Sequence, residues 1–208
     1  MEYVVDLVII GNVNASKCIK LTYILSELKA DFYIFCGGLG ECLDSLDFVE
    51  KGFGVPSIHD DDYIIKVLKE RNLFISGRWA KINNVCVAGV DAKNPVLSIN
   101  RISSGTIPQE CSLYVIVLTY PLSISKCSKV NFGNKEYSIG LPKDLSVKIT
   151  ELINTVGLII ACQENSAELC LDHIGSSALY LSIPKTISIV RVKLDVQNRN
   201  IASINVLG

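Results

Sequence analysis

Polar residues follow five of the buried strands that the sequence predicts, and they are the first candidates for chemistry. In α/β proteins the carboxyl ends of such strands meet at one edge, where ligands and catalytic groups gather. We therefore expect the five segments to converge on one cleft. The segments are residues 11–14, 37–41, 56–60, 119–121 and 162–165.

His59 and Asp60 form an adjacent pair in these segments that could transfer protons. An imidazole next to a carboxylate is a common acid–base arrangement. The pair also stands where a helix is predicted to begin, and acidic residues stabilise a first helical turn through the helix dipole. Because no metal-ligand spacing accompanies the pair, we favour the helix-start interpretation, also for the run of Asp60, Asp61 and Asp62. The other histidine, His173, is expected at the surface.

The chain contains eight cysteines and no C-x-x-C motif, so the zinc and thioredoxin signatures are absent. We expect reduced thiols, buried as small apolar side chains. Two alternatives stay open: disulfides, if the source is a hyperthermophile, and a soft-metal site formed by Cys36, Cys162 and His59. The cysteines are Cys18, Cys36, Cys42, Cys86, Cys111, Cys127, Cys162 and Cys170.

Two further catalytic or nucleotide-binding motifs are excluded. Gly37, Gly38 and Gly40 lack the G-K-[ST] that completes a phosphate-binding loop, and no G-x-S-x-G marks a serine nucleophile. Residues 126–148 carry five lysines and two aromatic residues, which could contact nucleic acid. A net charge of −1 disfavours this contact, because phosphate binding needs clustered positive charge. We expect a solvated loop here and no nucleic-acid partner.

The hydrophobic periodicity predicts an α/β chain of two stacked sheets with helices outside. Strands at residues 3–10 and 32–36 flank a helix at residues 16–29, an order that implies an adjacent parallel pair. We expect loops at residues 94–111 and 121–141. The other predicted strands are residues 53–55, 73–76, 79–82, 85–90, 113–119, 157–162, 179–182, 186–194 and 201–206, the other helices are 42–51, 59–71 and 142–155, and a short helix or turn is predicted at 164–172.

The composition indicates a folded chain that associates with protein. Its 208 residues are 49% hydrophobic and 20% charged, with a mean hydropathy of +0.37, which excludes a disordered chain. So much apolar surface beside so little charge predicts a homo-oligomer or a protein partner. No apolar run reaches the roughly 20 residues of a membrane helix, and no basic segment precedes an apolar stretch as in a signal peptide. We therefore expect a cytoplasmic protein without membrane contact.

The order and spacing of the five polar segments resemble the calcineurin-like metallophosphoesterases. That family carries D-x-H, G-D, G-N-H-D/E, a lone H and G-H-x-H, each after a strand. The resemblance extends over nearly the whole chain. It implies a four-layer α-β-β-α sandwich of the metallophosphoesterase type, formed as one domain by residues 1–208. In the family this framework holds two metal ions that hydrolyse phosphoesters.

The resemblance lies in the framework, because the metal ligands are replaced. Two dications bring together about +4 of charge, which needs carboxylates, imidazoles and hydroxide, whereas amides are weak ligands. Only His59 and Asp60 match the family pattern. The replacements are Asn12 and Asn14 for D-x-H, Gly38 for the Asp of G-D, Ile58 for the Asn of G-N-H-D/E, Thr119 for the lone His, and Gln163 and Asn165 for G-H-x-H.

The sequence therefore resembles that family without its metal ligands. We expect a degenerate member, that is, a pseudoenzyme that is hydrolase-like only in its fold. We expect a non-catalytic binding or scaffold subunit that acts through protein contacts or through the vestigial cleft, with no cofactor and with His59 and Asp60 vestigial. The small subunits of eukaryotic replicative DNA polymerases are a precedent for this fold as a scaffold. The alternatives are a weak or altered metal-dependent phosphodiesterase or phosphatase using Mn or Zn, a small-molecule or nucleotide sensor, and a generic α/β sheet with ordinary polar loops.

Overall fold

The computed structural model describes residues 4–40, 42–152, 157–163, 168–175, 178–198 and 200–208. The strands in this part of the chain are β1 (Val4–Ile10), β2 (Phe32–Cys36), β3 (Gly52–Val55), β4 (Trp79–Ile82), β5 (Val85–Val90), β6 (Leu113–Leu118), β7 (Lys129–Phe132), β8 (Lys135–Ser138), β9 (Gly157–Gln163), β10 (Cys170–Ile174), β11 (Ala178–Pro184), β12 (Ile189–Asp195) and β13 (Asn200–Val206). The α-helices are α1 (Cys18–Glu27), α2 (Asp62–Glu70), α3 (Pro95–Ser104) and α4 (Lys143–Glu151), and short 3-10 helices cover Ala15–Lys17, Leu43–Phe48 and Lys126–Ser128.

Two sheets lie face to face between two layers of helices, which confirms the predicted α-β-β-α sandwich. The first sheet has the strand order β13-β12-β1-β2-β3, and the second has the order β10-β11-β9-β6-β5-β4. Strands β1 and β2 are adjacent and parallel, with Leu7 opposite Phe32, as the intervening helix predicts. Strands β7 and β8 form a separate, largely exposed hairpin.

The burial of β1 explains why the central strands are continuous apolar runs in the sequence. Leu7 and Ile9 belong to the core between the two sheets, whereas Val8 and Ile10 belong to the core under α1 and α2. Successive side chains of a strand point to opposite faces. A strand that is covered on both faces therefore needs apolar residues at every position. A third core, under α3 and α4, covers the outer face of the second sheet.

Residues 94–111 are not the predicted loop, because they contain helix α3. The Asn94 side chain accepts a hydrogen bond from Leu97 N at 3.2 Å, and Pro95 occupies the first turn. Both features are typical helix starts. The helix buries Ile99 and Ile102, and the polar residues between them obscure this short periodicity in the sequence.

Other segments also differ from their predictions. Residues 73–76 form isolated bridges and no strand, and the predicted helix at 42–51 is the short 3-10 helix Leu43–Phe48. Residues 170–172, predicted as part of a helix or turn, belong to the edge strand β10, which is antiparallel to β11. Residues 164–167 of that prediction lie outside the described residues.

The predicted exposed loop at 121–141 is anchored at its base, where Leu122 and Leu141 form a bridge and are both buried. Only the β7–β8 hairpin of this excursion lies mostly in solvent.

The expectation of reduced thiols is wrong, since the structure joins all eight cysteines in disulfides. The Cα–Cα distances of 4.9, 5.9, 5.8 and 5.7 Å lie in the usual range for disulfides. Spacing could not reveal the pairing, because the partners are between 24 and 126 residues apart. The pairs are Cys18–Cys42, Cys36–Cys162, Cys86–Cys111 and Cys127–Cys170.

Two observations bear on where the protein works. Across the described ranges, no helix combines the length and the apolar character needed to cross a membrane. Disulfides are rare in the cytosol of mesophiles and common in oxidising compartments. The four pairs favour an oxidising environment, and the cytoplasmic location stays a prediction.

Candidate functional site

A cavity of about 200 Å³ opens at the carboxyl ends of the strands, where the two sheets meet. Asn12 follows β1, Ile58 follows β3 and Thr119 follows β6, and all three line the cavity. The disulfide between Cys36 of β2 and Cys162 of β9 joins the two sheets in the cavity wall. The cavity lies at the edge of the sheets where ligands of α/β proteins usually bind.

Four of the predicted cleft positions come together here. Asn12, Ile58 and Thr119 line the cavity, whereas Gly38 packs against the backbone of Asn12, since a Cβ added to it would be 3.0 Å from the Cα of Asn12. These residues are separated by up to about a hundred positions in the sequence, and only the convergence of the strand ends brings them together.

The other predicted positions are not part of the described lining. Asn14 is exposed, and its side chain accepts a hydrogen bond from Ser16 Oγ at 2.6 Å, just before the first 3-10 helix. Gln163 ends β9 and only its backbone is described, and Asn165 lies outside the described residues. His59 is exposed next to Ile58 and does not line the cavity.

Backbone contacts hold together the loops that follow β1, β2 and β3. Asn12 N and Val13 N donate to Gly37 O at 3.2 Å and to Gly38 O at 2.8 Å. Asn12 and Gly37 adopt left-handed φ angles of 52° and 73°. A Cβ on Gly37 would lie 2.6 Å from the Cβ of Ser57. Glycine at position 37 therefore permits both the turn and the close approach of the third loop.

Asp60 connects two of these loops from the inside. Its side chain is buried, and Oδ2 accepts hydrogen bonds from Ser57 N at 2.6 Å and from Gly38 N at 3.0 Å. The prediction that Asp60 belongs to the first helical turn is wrong, because α2 begins at Asp62 and its N-cap is Asp61. The carboxylate of Asp60 instead fixes the loops after β2 and β3 relative to each other.

The described lining of the cavity is uncharged. Asn12 Nδ2 and Thr119 Oγ1 are buried and have no hydrogen-bond partner among the described residues. Buried polar groups usually find a partner, and neither of these two atoms is open to solvent or to the cavity. The polar lining residues are Asn12, Ser57, Thr119 and Tyr120, and the other lining residues are Cys36, Ile58, Ala92, Pro121, Ile139, Gly140 and Cys162.

These residues do not fit the dinuclear metal centre that the family resemblance implies. In the part of the chain that the structure describes, no group of three or more His, Cys, Asp or Glu residues could hold a metal ion. The amide of Asn12 and the hydroxyl of Thr119 are neutral and bind zinc or manganese weakly. The soft-metal alternative is wrong as well, since Cys36 and Cys162 are bonded to each other and present no thiolates.

Sequence reasoning missed one wall of the cavity, which comes from residues 139 and 140. Leu141 N donates to Pro121 O at 2.9 Å and draws this segment back onto the loop after β6. Gly140 has a φ of 111°, and a Cβ at this position would collide with Pro121 O. The glycine between two apolar residues, Ile139 and Leu141, is the signal in the sequence that the segment returns to the core.

Asp172 of β10 fastens the base of the same excursion. Its Oδ2 accepts hydrogen bonds from Ser125 Oγ at 2.7 Å and from Lys126 N at 2.8 Å, and the Cys127–Cys170 disulfide lies beside it. Burial by itself raises the pKa of Asp172, but the hydrogen bonds outweigh burial and hold the pKa below its usual value. These contacts hold the excursion that supplies the missed wall of the cavity.

Comparison with solved structures shows what this chain resembles. A crystal structure matches 99% of the chain and 100% of its own chain, with a TM-score of 0.65 at 10% identity. The sulfate thiohydrolase SoxB of Thermus thermophilus, in complex with glycerol, matches 89% of the chain with a TM-score of 0.52 at 11% identity. A Staphylococcus aureus protein described as a 5′-nucleotidase, in complex with α-ketoglutarate, matches 98% of the chain with a TM-score of 0.55 at 8% identity.

These matches establish the fold, which is the sandwich of the metallophosphoesterases. SoxB and the Staphylococcus protein both have this fold, and the chain spans 41% and 53% of their respective lengths. No family model and no curated protein matches the sequence. The relationship to phosphoesterases is therefore distant and is carried by the fold alone.

Proposed function

We propose that this chain is a non-catalytic protein with the metallophosphoesterase fold and that it acts by binding. One observation carries the proposal: the cavity at the strand ends is lined by neutral and apolar groups, with a disulfide in its wall. The partner is a protein, as the composition predicts, or a ligand that enters the cavity.

The chemistry of hydrolysis supports this proposal. Metal-assisted hydrolysis needs a metal-bound hydroxide and groups that balance the charge of the metal ions. Among the described residues, the buried carboxylate behind the cavity wall is Asp60, and it already accepts two backbone hydrogen bonds from Ser57 and Gly38. Redirecting this carboxylate towards a metal would leave those two donors without a partner, which is costly in a buried loop.

Turnover of an activated phosphodiester tests the proposal. The full chain, purified without chelator, is incubated with bis-p-nitrophenyl phosphate and Mn²⁺ or Zn²⁺. We expect the rate of the protein-free control. The two histidines of the chain supply matched variants, since His59 lies beside the cavity and His173 lies exposed on β10.

The opposite result would identify an enzyme. Metal-dependent turnover that is abolished by His59→Ala and retained by His173→Ala would overturn the proposal. That outcome would favour the alternative of an altered metal-dependent phosphodiesterase. A trace of activity that survives both substitutions would point to a contaminating hydrolase and would leave the chain itself inactive, as proposed.

A further inference from the structure

We infer that strand β13 pairs edge to edge with the β13 of a second copy of this chain, so that the first sheet continues across a dimer. The inference names one protein partner for the proposed function but does not depend on it, because an enzyme could use the same edge. The open side of the strand, its lack of charge, its free backbone groups and the apolar side chains around it each support the pairing.

In the part of the chain that the structure describes, β13 is the long sheet edge that stays uncovered. It pairs with β12 on one side and has no strand on the other. At the opposite edge of the same sheet, β3 is covered, because Gly54 N donates to Leu73 O at 2.6 Å and Ile75 N donates to Gly54 O at 3.1 Å. In the second sheet, β4 has only four residues, and the Cys127–Cys170 disulfide joins β10 to the neighbouring 3-10 helix.

The composition of β13 lacks the features that usually keep exposed strand edges apart. Such edges are commonly short, or they carry a charged residue or a proline. Strand β13 has seven residues with neither charge nor proline, whereas β4 and β10 contain Lys81 and Asp172. This lack of charge favours a second copy as the partner, because a two-fold axis brings identical residues together and like charges there would repel each other.

The hydrogen bonds between β13 and β12 define which backbone groups are free for a second copy. Leu207 N donates to Ile189 O at 2.9 Å, and hydrogen-bonded pairs alternate along an antiparallel ladder. The N–H and C=O groups of Ile204 and Val206 therefore point away from β12, in a stretch where the register is regular. With Asn205 on the two-fold axis, Ile204 of each copy lies opposite Val206 of the other, and each such pair exchanges both of its N–H···O bonds.

The side chains around this edge leave apolar surface that a second copy would cover. Ile201 and Ile204 are only partly buried at the rim of the core between the sheets, and Val206 is 53% exposed. On the opposite side of the sandwich the protein closes this core itself, because residues 73–76 bridge β3 and β5 and Ile75 is 1% exposed. Pairing of two β13 strands places Val206 of one copy beside Ile204 of the other and so removes apolar surface from water.

Sedimentation velocity and amide hydrogen exchange of the full, disulfide-bonded chain test the pairing. We expect the mass to rise from 22.8 kDa towards twice this value as the concentration increases from about 1 to about 100 µM. The dissociation constant should be on the order of micromolar. The amides of Ile204 and Val206 should exchange slowly in the dimer and rapidly after dilution, because only the second copy protects them.

Two substitutions on β13 and one control test the surface itself. Asn205→Lys places like charges at the axis, and Val206→Pro removes an outward N–H while the ladder to β12 keeps its bonds. We expect each to raise the dissociation constant at least about tenfold, since the two-fold axis doubles each effect. Asn131→Lys adds the same charge at an exposed position on β7 and should leave the constant unchanged. Thermal unfolding confirms that the variants are folded.

The outcomes separate this inference from the proposed function. A chain that stays monomeric at about 100 µM overturns the inference. A dimer that both β13 variants leave intact overturns it too, as does a dimer in which the amides of Ile204 and Val206 exchange equally fast at every concentration. None of these results bears on phosphodiester turnover, which tests the proposed function separately. A dimer that is weakened by Asn205→Lys and that protects the Val206 amide supports the inference.

Discussion

Asp60 stabilises the loops around the cavity although its side chain does not line the cavity, and its neighbours Asp61 and Asp62 have different roles. The three carboxylates are consecutive, yet each has a different environment. Asp60 is buried on two backbone N–H groups, Asp61 caps helix α2, and Asp62 is fully exposed opposite Lys93. The sequence alone cannot separate these roles, because all three residues fit a helix start.

Alanine substitution should separate them by magnitude. We expect Asp60→Ala to lower the free energy of unfolding by about 2–4 kcal/mol, because two buried N–H groups lose a charged acceptor. Asp61→Ala should cost about 1 kcal/mol as a lost cap, and Asp62→Ala should have the smallest effect, because its side chain is fully exposed to solvent. Urea denaturation measures all three. Equal losses would show that Asp60 does not connect the loops.

For Thr119 we predict that substitution raises the free energy of unfolding, in contrast to the losses expected for the aspartates. Its hydroxyl is buried without a partner among the described residues, so removing it should relieve a desolvation cost. We expect Thr119→Val to raise the free energy of unfolding by about 1 kcal/mol. Thr106→Val is the exposed control. Destabilisation by Thr119→Val would mean that the hydroxyl has a partner in the folded protein.

At the scale of elements, the segment between β6 and α4, residues 121–141, was predicted only in part from the sequence. Its lysines, serines and asparagines indicate an exposed loop, and this is correct for the β7–β8 hairpin. Its base is nevertheless buried, because Leu122 and Leu141 pair and Tyr180 accepts a hydrogen bond from Leu122 N at 3.2 Å. Such contacts involve a strand that is distant in the sequence, so the local composition cannot predict them.

The hydrogen bonds of Asp172 to Ser125 and Lys126 should make the stability of the folded chain depend on pH. The folded pKa of Asp172 is lowered, so its contribution to stability is complete above the unfolded pKa of about 3.9. The contribution is lost as the pH falls through the folded pKa, because the unfolded state then binds the proton more readily. Asp172→Asn should therefore cost about 1 kcal/mol at neutral pH and progressively less below about pH 4.

Urea denaturation at neutral and acidic pH checks this expectation. Asp144→Asn, at an exposed position in the first turn of α4, is the control and should change stability little at either pH. A difference between wild type and Asp172→Asn that does not shrink as the pH falls below about 4 would contradict the expectation, since the unfolded state then takes up the proton before the folded state does.

The disulfides join elements that the sequence does not place together. We expect no thiol to react in the denatured, unreduced chain and eight to react after reduction. Reactive thiols before reduction would contradict the pairing.

The two disulfides that close loops of different length should differ in what they add to the free energy of unfolding. We expect a loss of about 5 kcal/mol for the double variant Cys36→Ala, Cys162→Ala and of about 3 kcal/mol for Cys18→Ala, Cys42→Ala, because the first pair closes the longer loop.

At the scale of the whole molecule, the layers could be predicted and the cavity only in part. Two-sided apolar strands such as β1 and β2 specify buried sheets, and the intervening helix specifies their parallel order. The convergence of Asn12, Ile58 and Thr119 follows from the strand ends in the same way. Ile139 and Gly140 were missed, because the polar composition around them indicates an exposed loop and only the glycine between two apolar residues marks the return to the cavity.

The central proposal is that this chain holds no metal centre, and the number of divalent ions bound per chain tests it most directly. Equilibrium dialysis of the oxidised chain against Mn²⁺ and Zn²⁺, followed by metal analysis, gives this number. We expect no stoichiometric ion in the wild type, and none in Gly38→Asp, because the carboxylate of Asp60 next to position 38 raises the pKa of the new carboxyl group, and the other ligand positions stay neutral or apolar. Two tightly bound ions per wild-type chain would contradict the account.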